Sequence, residues 1–421
     1  MRLILILVCL FVSGFDNLRS QEIAQWRGPQ RNGNYPDSGL MDTWPENGPP
    51  VLWKVKGIGK GYSSAVSDGK RVYVTGMKDS TDYLTGIGMD GNQLWQVPIG
   101  HSWYGTFPDS RTTPTVEQER VYVIGGSGIV ACIDAIHGTI IWNINGLERF
   151  EGKYGDWGVC ESPLLVGDKL IYTPAGNRTT MVALDKMNGS TLWQTESLND
   201  TGAYVSPILI RYADKNIIVS LIATYFFGVD ADNGTILWKY PYATLLPEES
   251  LKVWPGAPKT NTITPLYDNG CIFITGGYDH PGAFFRLNQN ATAVELVWTN
   301  TTLDCHHGGV VRIGGYIYGS NWIDNAKGNW CCIEWNTGKT MYENTWQTKG
   351  AIISADGRIY CFDERNGNID LVNATPANFD LISSFKITEG KGPFWAHPVI
   401  AHGVLYVRHG DVLLAYDLNR R

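Results

Sequence analysis

The sequence predicts an all-β fold: an eight-bladed β-propeller of four-stranded antiparallel blades, closed by an N-terminal strand that completes the last blade. A repeated signature, two independent counts of eight and an incomplete final unit lead to this prediction. The composition agrees with it, because 48 Gly, 16 Trp and only 18% charged residues describe a turn-rich, aromatic β protein.

The repeated signature consists of Asp134, Gly138 and Trp142, each four residues after the one before. It returns twice with the same steps, and a looser copy ends at Trp95. Periods of this size indicate a repeat architecture in which each unit is one supersecondary element. An Asp or Asn with Gly suits the tight turn before the last strand of each unit, and we expect the Trp to pack between neighbouring units rather than to form a site.

One unit, residues 157–193, shows the strand pattern. Short apolar segments are separated by the turn pairs Gly167-Asp168 and Asn188-Gly189 and by a loop at residues 175–177. Four such strands make an antiparallel up-and-down sheet. A sheet of this size cannot bury both faces alone, so the units must stack.

The first strands and the fourth strands of the units can be counted separately, and each count gives eight. The aromatic residues of the fourth strands are Trp53, Trp95, Trp142, Trp193, Trp238, Trp298, Tyr342 and Phe385. The first strands begin near Ser63, Thr113, Ser162, Ser206, Thr264, Gly308, Ala351 and His397.

The last unit lacks a fourth strand, because only the segments 404–407 and 412–417 follow its first strand. The segment Pro50-Val-Leu-Trp53 has the missing pattern and is left over at the other end of the chain. We therefore predict that the N-terminus supplies the last strand and closes the ring, which leaves only short, protected edges.

Residues 1–20 read as a secretory signal, with Arg2 before an apolar core and Ser20 before the cut. We expect residues 21–421 to form a single propeller domain that is exported, either periplasmic or secreted, without a membrane span and as a monomer. Removal of Arg2, Asp16 and Arg19 changes the formal charge from −7 to −8. An acidic chain without a basic stripe excludes nucleic acid as a partner.

The signature copies resemble the repeats of the pyrroloquinoline-quinone (PQQ) enzyme family, which also occur in the eight-bladed outer-membrane assembly factor. The opening stretch from Trp26 to Gly33 and the closing stretch from Tyr406 to Asp411 are similar to exported bacterial proteins described as PQQ-like or polyvinyl-alcohol-dehydrogenase-like. The resemblance covers almost the whole mature chain. It implies the fold, whereas function must be argued from a site.

Topology sorts the loops onto two faces. First-to-second and third-to-fourth turns share one face and are short; second-to-third loops and blade connections share the other. The second face receives the long segments rich in aromatic residues and His, such as residues 101–104, 153–157, 304–307 and 395–397. We expect any functional site on that face.

Alignment of the first strands predicts two stacked rings around the channel, because residues two apart point to the same side of a strand. The inner ring is small: Ser64, Thr113, Ser162, Ser206, Thr264, Gly308, Ala351 and, as an interruption, His397. The mouth ring consists of Tyr62, Arg111, Cys160, Tyr204, Thr262, His306, Lys349 and Trp395.

The mouth ring predicts a pocket for an acidic oligosaccharide. Arg111 and Lys349 would neutralise a carboxylate, and His306 or Tyr204 would move a proton. These four candidate catalytic residues suit β-elimination or dehydration of a uronic acid, that is, a carbon–oxygen lyase of carbohydrate degradation. The candidate substrate-binding residues are Tyr62, Trp103, Tyr104, Lys153, Trp157, Trp254, His280, His307, Trp395 and His397.

Other functions remain open at this point. The mouth residues could plug the channel without any activity. Four His on one face could instead hold a divalent metal. The main prediction contains no cofactor and assigns no metal ligands. A PQQ-dependent oxidoreductase is an alternative. The resemblance implies that the neighbours Cys331 and Cys332 could then form a disulfide beside the cofactor, whereas their position in a strand favours two separate core thiols. A non-catalytic binding or assembly propeller is the third possibility.

Overall fold

The computed structural model describes residues 23–256 and 259–420, which form eight β-sheets. The predicted secretory signal, residues 1–20, lies outside the described residues. Two strands precede the first blade, β1 (Asn34–Tyr35) and β2 (Val51–Lys56). The helical elements are short: α1 (Gly146–Arg149), α2 (Glu248–Val253) and a 3-10 turn at Tyr242–Leu245.

The first four blades follow the chain in order, each an antiparallel sheet of four consecutive strands. Blade 1 contains β3 (Val66–Ser67), β4 (Arg71–Lys78), β5 (Thr81–Gly88) and β6 (Gln93–His101); blade 2, β7 (Thr115–Glu117), β8 (Arg120–Ile124), β9 (Ile129–Asp134) and β10 (Ile140–Asn145); blade 3, β11 (Leu164–Val166), β12 (Lys169–Tyr172), β13 (Val182–Asp185) and β14 (Thr191–Gln194); blade 4, β15 (Ile208–Tyr212), β16 (Lys215–Leu221), β17 (Phe226–Asp230) and β18 (Ile236–Tyr240).

The next three blades repeat the pattern, and the eighth combines strands from both ends of the chain. Blade 5 contains β19 (Leu266–Asp268), β20 (Cys271–Ile274), β21 (Gly282–Leu287) and β22 (Val294–Asn300); blade 6, β23 (Val310–Ile313), β24 (Tyr316–Ser320), β25 (Trp330–Glu334) and β26 (Thr340–Asn344); blade 7, β27 (Gly350–Ala355), β28 (Arg358–Asp363), β29 (Asn368–Asn373) and β30 (Asp380–Lys386); blade 8, β31 (Val399–Ala401), β32 (Val404–His409) and β33 (Val412–Asp417) with β2.

The N-terminal strand closes the ring as predicted. β2 pairs antiparallel with β33, with Trp53 opposite Ala415 and Lys56 opposite Val412. The first strand of the chain has a different partner, because β1 pairs parallel with β27 and adds a fifth strand to blade 7. Both the N-terminal and the C-terminal strands of the described chain are therefore part of the ring.

The repeated signature joins one blade to the next. Asp134 accepts hydrogen bonds from the backbone N–H groups of Ile136 (2.9 Å) and His137 (2.7 Å), which shapes the turn. Gly138 has φ +71°, and a Cβ there would lie 2.6 Å from the ring of Trp95 in the preceding blade. The tryptophans are therefore inter-blade core, as the sequence predicts.

The adjacent cysteines of β25 are separate thiols. Cys331 packs in the apolar layer between blades 5 and 6, and Cys332 packs in the layer between blades 6 and 7. Both are free and buried. Because successive side chains of a strand point to opposite faces, the strand separates the two sulfur atoms.

Within the described ranges, none of the helices has the length and apolar character needed to cross a membrane.

Candidate functional site

A cavity of about 340 Å³ opens at the mouth of the channel, on the face that carries the long loops. All eight residues of the predicted mouth ring contribute to its wall. The wall also contains residues from neighbouring loops and from the N-terminal segment. The complete lining is Trp26, Tyr62, Phe107, Arg111, Trp157, Cys160, Ser162, Tyr204, Ser206, Thr260, Thr262, Tyr278, His306, His307, Asn325, Lys349, Glu364, Trp395 and His397.

Below the mouth, hydroxyl groups of the small ring join successive blades. The backbone N–H of Ser64 donates to Thr113 Oγ1 (3.0 Å), that of Thr113 to Ser162 Oγ (3.0 Å) and that of Ser162 to Ser206 Oγ (2.9 Å). The hydroxyl of Ser64 donates to the carbonyl of His397 (2.9 Å), which continues the series into blade 8. This role explains why Ser or Thr recurs at this position, since the hydroxyls of Thr113, Ser162 and Ser206 each accept a buried N–H of the adjacent blade.

Residues 23–33, which we term the plug, cross the channel beneath the cavity. The plug begins with a bridge between Ala24 and Val116 of blade 2 and leads into β1, which pairs with blade 7. Trp26 points into the cavity and forms its floor. Its indole N–H donates to Thr264 Oγ1 (3.0 Å), and its ring lies 4.7 Å from that of His397.

Two buried arginines anchor the plug to the blades. Arg27 donates to the carbonyl oxygens of Val310 (2.6 Å) and Ile352 (3.2 Å). Arg31 donates to those of Ser162 (2.8 Å) and Pro163 (3.0 Å). Burial lowers the pKa of Arg27 to about 10 and that of Arg31 to about 9, so both remain charged at neutral pH. Their partners are carbonyls at the inner strands, which fixes the plug in the channel.

His397 connects the plug to the mouth. Its Nδ1 atom lies 2.9 Å from the guanidinium of Arg27, and its Nε2 atom lies 2.8 Å from the carbonyl oxygen of His307. Because a guanidinium only donates and a carbonyl only accepts, Nδ1 must accept and Nε2 must carry the proton. Burial and the charge of Arg27 hold the pKa of His397 well below its usual range. His397 is therefore a neutral, fixed element of the wall.

A buried ionic group occupies one side of the mouth. Lys349 and Glu364, each 3% exposed, form an ion pair, and the second oxygen of Glu364 lies 3.2 Å from Nε2 of His307. Burial works to raise the pKa of Glu364, but His307 and Lys349 outweigh it and hold the pKa below its ordinary value. Glu364 is thus ionised and neutralises Lys349, so Lys349 is not the free cation that the sequence predicts.

His306 stands beside this group. Its ring lies 4.8 Å from Tyr278 and 4.6 Å from His307, and its Nδ1 atom is buried without a hydrogen-bond partner in the described chain. Burial, together with His307 and Lys349, lowers the pKa of His306 well below its usual range. His306 is therefore neutral at pH 7, and its low basicity makes it a weak proton acceptor.

Arg111 occupies the opposite side. Its guanidinium lies 5.7 Å from the ring of Tyr62 and donates to the carbonyl oxygens of Phe107 and Asp109 in its own loop. No carboxylate of the described residues forms an ion pair with it. Burial, and next the charge of Asp109, raise the pKa of Tyr62 to about 12, so this phenol stays protonated.

Aromatic rings fill the space between the two sides. Trp395 contacts Tyr62, Phe107 and His307, with ring centroids 4.9, 5.6 and 5.4 Å away. Across the cavity, Tyr204 packs against Trp157 at 5.3 Å, and burial raises the pKa of Tyr204 above its usual range. The phenols are consequently hydrogen-bond donors rather than bases.

Five of the predicted substrate-binding residues are not part of this lining. His280 is buried, stacks on Tyr242 at 3.8 Å and bonds its backbone carbonyl, which makes it a core residue. Lys153 bonds the side chain of Asn177. The three aromatic residues lie outside the wall: Trp254 packs against Tyr278, Trp103 packs against Tyr154, and Tyr104 is 72% exposed.

The sequence reasoning missed Glu364, Tyr278 and Trp26. Glu364 and Tyr278 follow second strands and therefore belong to the loop class assigned to this face, but neither position repeats between blades. Trp26 precedes all the repeats, so the alignment of strands could not place it. One physical argument could have found Glu364: a buried cation such as Lys349 needs a carboxylate partner.

The cavity does not offer the donor set that a PQQ–metal centre needs. Calcium prefers several carboxylate and carbonyl oxygens, whereas Glu364 is the one carboxylate of the lining and one of its two oxygens is paired with Lys349. The described residues contain no group of three His, Cys, Asp or Glu placed to hold a metal ion. PQQ is also a polycarboxylate, and Arg111 is the one lining cation without a carboxylate partner.

Comparison with known proteins gives consistent results for the fold. Residues 81–370 match the family model described as "Outer membrane protein assembly factor BamB". The assembly factor BamB of Moranella endobia (strain PCIT) is 24% identical over 196 residues, which is 45% of this chain and 42% of that protein. The chain thus matches less than half the length of that relative.

Solved structures agree with the fold. The crystal structure of BamB from Moraxella catarrhalis superposes with a TM-score of 0.64 at 14% identity, over 88% of this chain and 99% of that one. The quinohemoprotein alcohol dehydrogenase from Comamonas testosteroni also gives a TM-score of 0.64, at 11% identity over 88% of this chain and 76% of that one. At such identities these likenesses establish the propeller alone.

Proposed function

Since the chain belongs to the PQQ-like propeller family described as outer membrane protein assembly factor BamB, we propose that it is a binding propeller whose mouth cavity takes a small acidic, ring-containing ligand of the uronic-acid class. We further propose that it is exported and that the ligand is part of an oligosaccharide. The match to an assembly factor supports a binding role, whereas the similar alcohol dehydrogenase shows that the same fold also carries an enzyme.

The observation that carries the proposal is the charge of the cavity. Arg111 and Lys349 are its cations and Glu364 its carboxylate, which leaves one net positive charge when the histidines are neutral. That charge resides on Arg111, since Lys349 is neutralised by Glu364. A guanidinium presents a planar fork that matches one carboxylate.

The rest of the wall suits a sugar ring. The volume of about 340 Å³ lies at the lower end of the range for small-molecule sites, roughly 300–1,000 Å³. Trp26, Trp157 and Trp395 supply apolar surfaces, and the phenols of Tyr62 and Tyr204 supply hydroxyl donors. Amphipathic rings with a few placed polar groups are typical of sites that bind amphipathic ligands.

Calorimetric titration tests the proposal. Galacturonate and glucuronate oligosaccharides should bind, and their neutral counterparts should bind at least about tenfold more weakly, since a charge-assisted hydrogen bond contributes roughly 1.5–3 kcal/mol. Arg111→Ala should abolish this preference without lowering the melting temperature.

Arg211→Ala provides the matched control, because Arg211 is an exposed arginine of β15 that is not part of the cavity lining. Equal affinity for acidic and neutral ligands in the parent, or an acid preference that survives Arg111→Ala, would refute the proposal. Absence of saccharide binding, together with binding of a protein partner at this face, would favour the assembly role.

Elimination on the bound uronate is the second candidate function. One observation favours it: an imidazole lies 3.2 Å from a buried carboxylate, in the same cavity as a guanidinium that has no carboxylate partner. Incubation with uronate oligosaccharides should then produce unsaturated products that absorb in the far ultraviolet. A mass-spectrometric survey that finds no cleavage and no loss of water across a broad panel would exclude this reaction and leave the binding proposal standing.

A further inference from the structure

The pairing of His307 with Glu364 crosses from one blade to another. His307 precedes β23 in blade 6, whereas Glu364 follows β28 in blade 7. The distance between His307 Nε2 and Glu364 Oε2 is 3.2 Å, and the side chain of His307 is 25% exposed while that of Glu364 is 3% exposed. A buried carboxylate thus stands behind an imidazole that reaches the cavity.

We propose that His307 is the proton-accepting residue of this cavity and that Glu364 is its positioning residue. The inference rests on the elimination reaction given above as the second candidate function, and it assigns the base that this reaction requires.

The tautomer of His307 follows from its partner. Nε2 is the ring nitrogen next to Glu364, at 3.2 Å but without the alignment of a hydrogen bond. Because an ionised carboxylate only accepts, we assign the proton to Nε2. The lone pair then belongs to Nδ1. A carboxylate that orients an imidazole in this way is the recurrent arrangement of histidine bases.

The neighbouring imidazoles are less suited to this role. The two nitrogens of His397 are both bound, to Arg27 and to the carbonyl of His307. His306 has no carboxylate behind it, and burial with its two charged neighbours keeps its pKa well below the usual range. Of the three histidines in the described lining, only His307 faces a carboxylate.

The placement of His307 relative to Arg111 fits the elimination reaction. Trp395 lies between the two sides, with Tyr62 4.9 Å and His307 5.4 Å from its ring centroid, and Arg111 lies over Tyr62. A uronate lying along Trp395 would therefore have its carboxylate at Arg111 and its ring hydrogens towards His307.

The proton and electron balance is as follows. Nδ1 of His307 takes the proton from the carbon next to the carboxylate, and the electron pair of that C–H bond forms the new carbon–carbon double bond. The bond from the adjacent carbon to the glycosidic oxygen breaks, and the oxygen leaves with its electron pair. A phenol of the wall, Tyr62 or Tyr204, protonates that oxygen. The proton on His307 is then returned through solvent to the phenolate, which restores the site.

Lys349 competes with His307 for the carboxylate of Glu364. Its ammonium pairs with the other oxygen of Glu364 and so shares the carboxylate with His307. The groups that face His307 are therefore Glu364, Lys349 behind it, and the neutral rings of His306 and Trp395.

The substitution Glu364→Gln makes a direct test. Glutamine has one carbonyl oxygen, and the buried ammonium of Lys349, which only donates, will take it. The amide NH₂ then faces Nε2 of His307, which must become an acceptor, so the proton moves to Nδ1. Nitrogen-15 NMR of the imidazoles should show His307 protonated on Nε2 in the parent and on Nδ1 in this variant. Exposed His137, which bonds Asp134, provides an internal control that should not change.

A second variant separates this effect from loss of structure. Lys349→Met removes the competing cation and keeps the carboxylate, so His307 should stay protonated on Nε2. A parent protonated on Nδ1, or no change of tautomer in Glu364→Gln, would overturn the role of Glu364.

Turnover gives the final distinction. With uronate oligosaccharides, Glu364→Gln and His307→Asn should each lower kcat on the order of 10²–10⁴-fold with little change in KM. Turnover that survives both substitutions refutes this inference but not the elimination reaction. Binding without turnover in the parent refutes the reaction together with the role of His307, and leaves the binding proposal intact.

Discussion

Replacement of Arg27 by Met should destabilise the propeller markedly, because this arginine connects the plug to three separate groups. Its guanidinium bonds the carbonyl oxygens of Val310 and Ile352 and Nδ1 of His397. Arg27 is 3% exposed, so water cannot easily replace these bonds. Met is apolar and of similar length, so the substitution removes the donors while it keeps much of the packing.

The size of the effect follows from the groups left behind. A buried acceptor that loses its partner costs roughly 1–3 kcal/mol, and Arg27→Met leaves three of them. Part of this loss is offset, because the variant no longer has to desolvate a guanidinium that lacks a carboxylate partner. We therefore expect the free energy of unfolding to fall by about 3–5 kcal/mol, the range found when one partner of a buried charged network is removed.

Urea denaturation of parent and variant measures this loss. Arg211→Met is the matched control and should change the free energy of unfolding by less than about 0.5 kcal/mol, since Arg211 is exposed. Arg27→Lys should fall between the two, because a single ammonium cannot reproduce a planar fork directed at separate acceptors. A loss below about 1 kcal/mol in Arg27→Met would show that the three acceptors find other donors, and the assignment of the plug as a structural anchor would be wrong.

Three other predictions test separate parts of the structure. Gly138→Ala should cost about 1–3 kcal/mol more than Gly167→Ala, since both positions have positive φ but only at Gly138 would the new Cβ meet a tryptophan ring; thermal unfolding of both variants measures the difference. Burial raises the pKa of Asp304 to about 8. Between the ordinary carboxyl pKa and pH 8, the folded state therefore binds a proton that the unfolded state has lost. The free energy of unfolding should consequently fall as pH rises through that window. Asp304→Asn should reduce this slope by up to about 1.4 kcal/mol per pH unit, and an unchanged slope would exclude Asp304 as its source. Trp26→Ala should weaken uronate binding about tenfold or more, whereas Trp26→Phe should retain most of it; equal calorimetric affinities would show that Trp26 is not part of the floor that the ligand contacts.

The fold could be predicted from the sequence because its determinants repeat. The Asp, Gly and Trp of each signature meet the same turn and the same inter-blade space, so each copy supports the phase of the others. The closing strand was predictable for a related reason, since Trp53 is an unpaired copy of a pattern whose place in the last blade was vacant. The short pairing of β1 with blade 7 has no such pattern, and its sequence did not predict it.

The mouth ring was predictable to the extent that it depends on strand periodicity. Residues two apart on a first strand share a face, and this periodicity predicts that Tyr62, Arg111 and His306 surround one cavity. Charge pairing does not follow from periodicity. Lys349 counts as a free cation in the sequence, but Glu364 comes from a loop position that does not recur, so its neutralising contact could be found only in three dimensions. The core position of His280, stacked on Tyr242, was hidden for the same reason.

Ring closure and ligand binding depend on the same part of the chain. Trp26 forms the floor of the cavity and is held by a plug that spans blades 2 and 7, while β2 of the following segment completes blade 8. The cavity therefore has a floor only when the N-terminal residues 23–56 are in place. A ligand that binds there selects the closed ring and stabilises it by RT ln(1 + [L]/Kd), about 2.7 kcal/mol at a hundredfold excess over Kd. A compound that binds only at exposed Tyr104, outside the cavity lining, would leave the seating of the plug unchanged. Ligand-induced protection of the plug against hydrogen exchange should therefore distinguish binding in the cavity from binding at Tyr104.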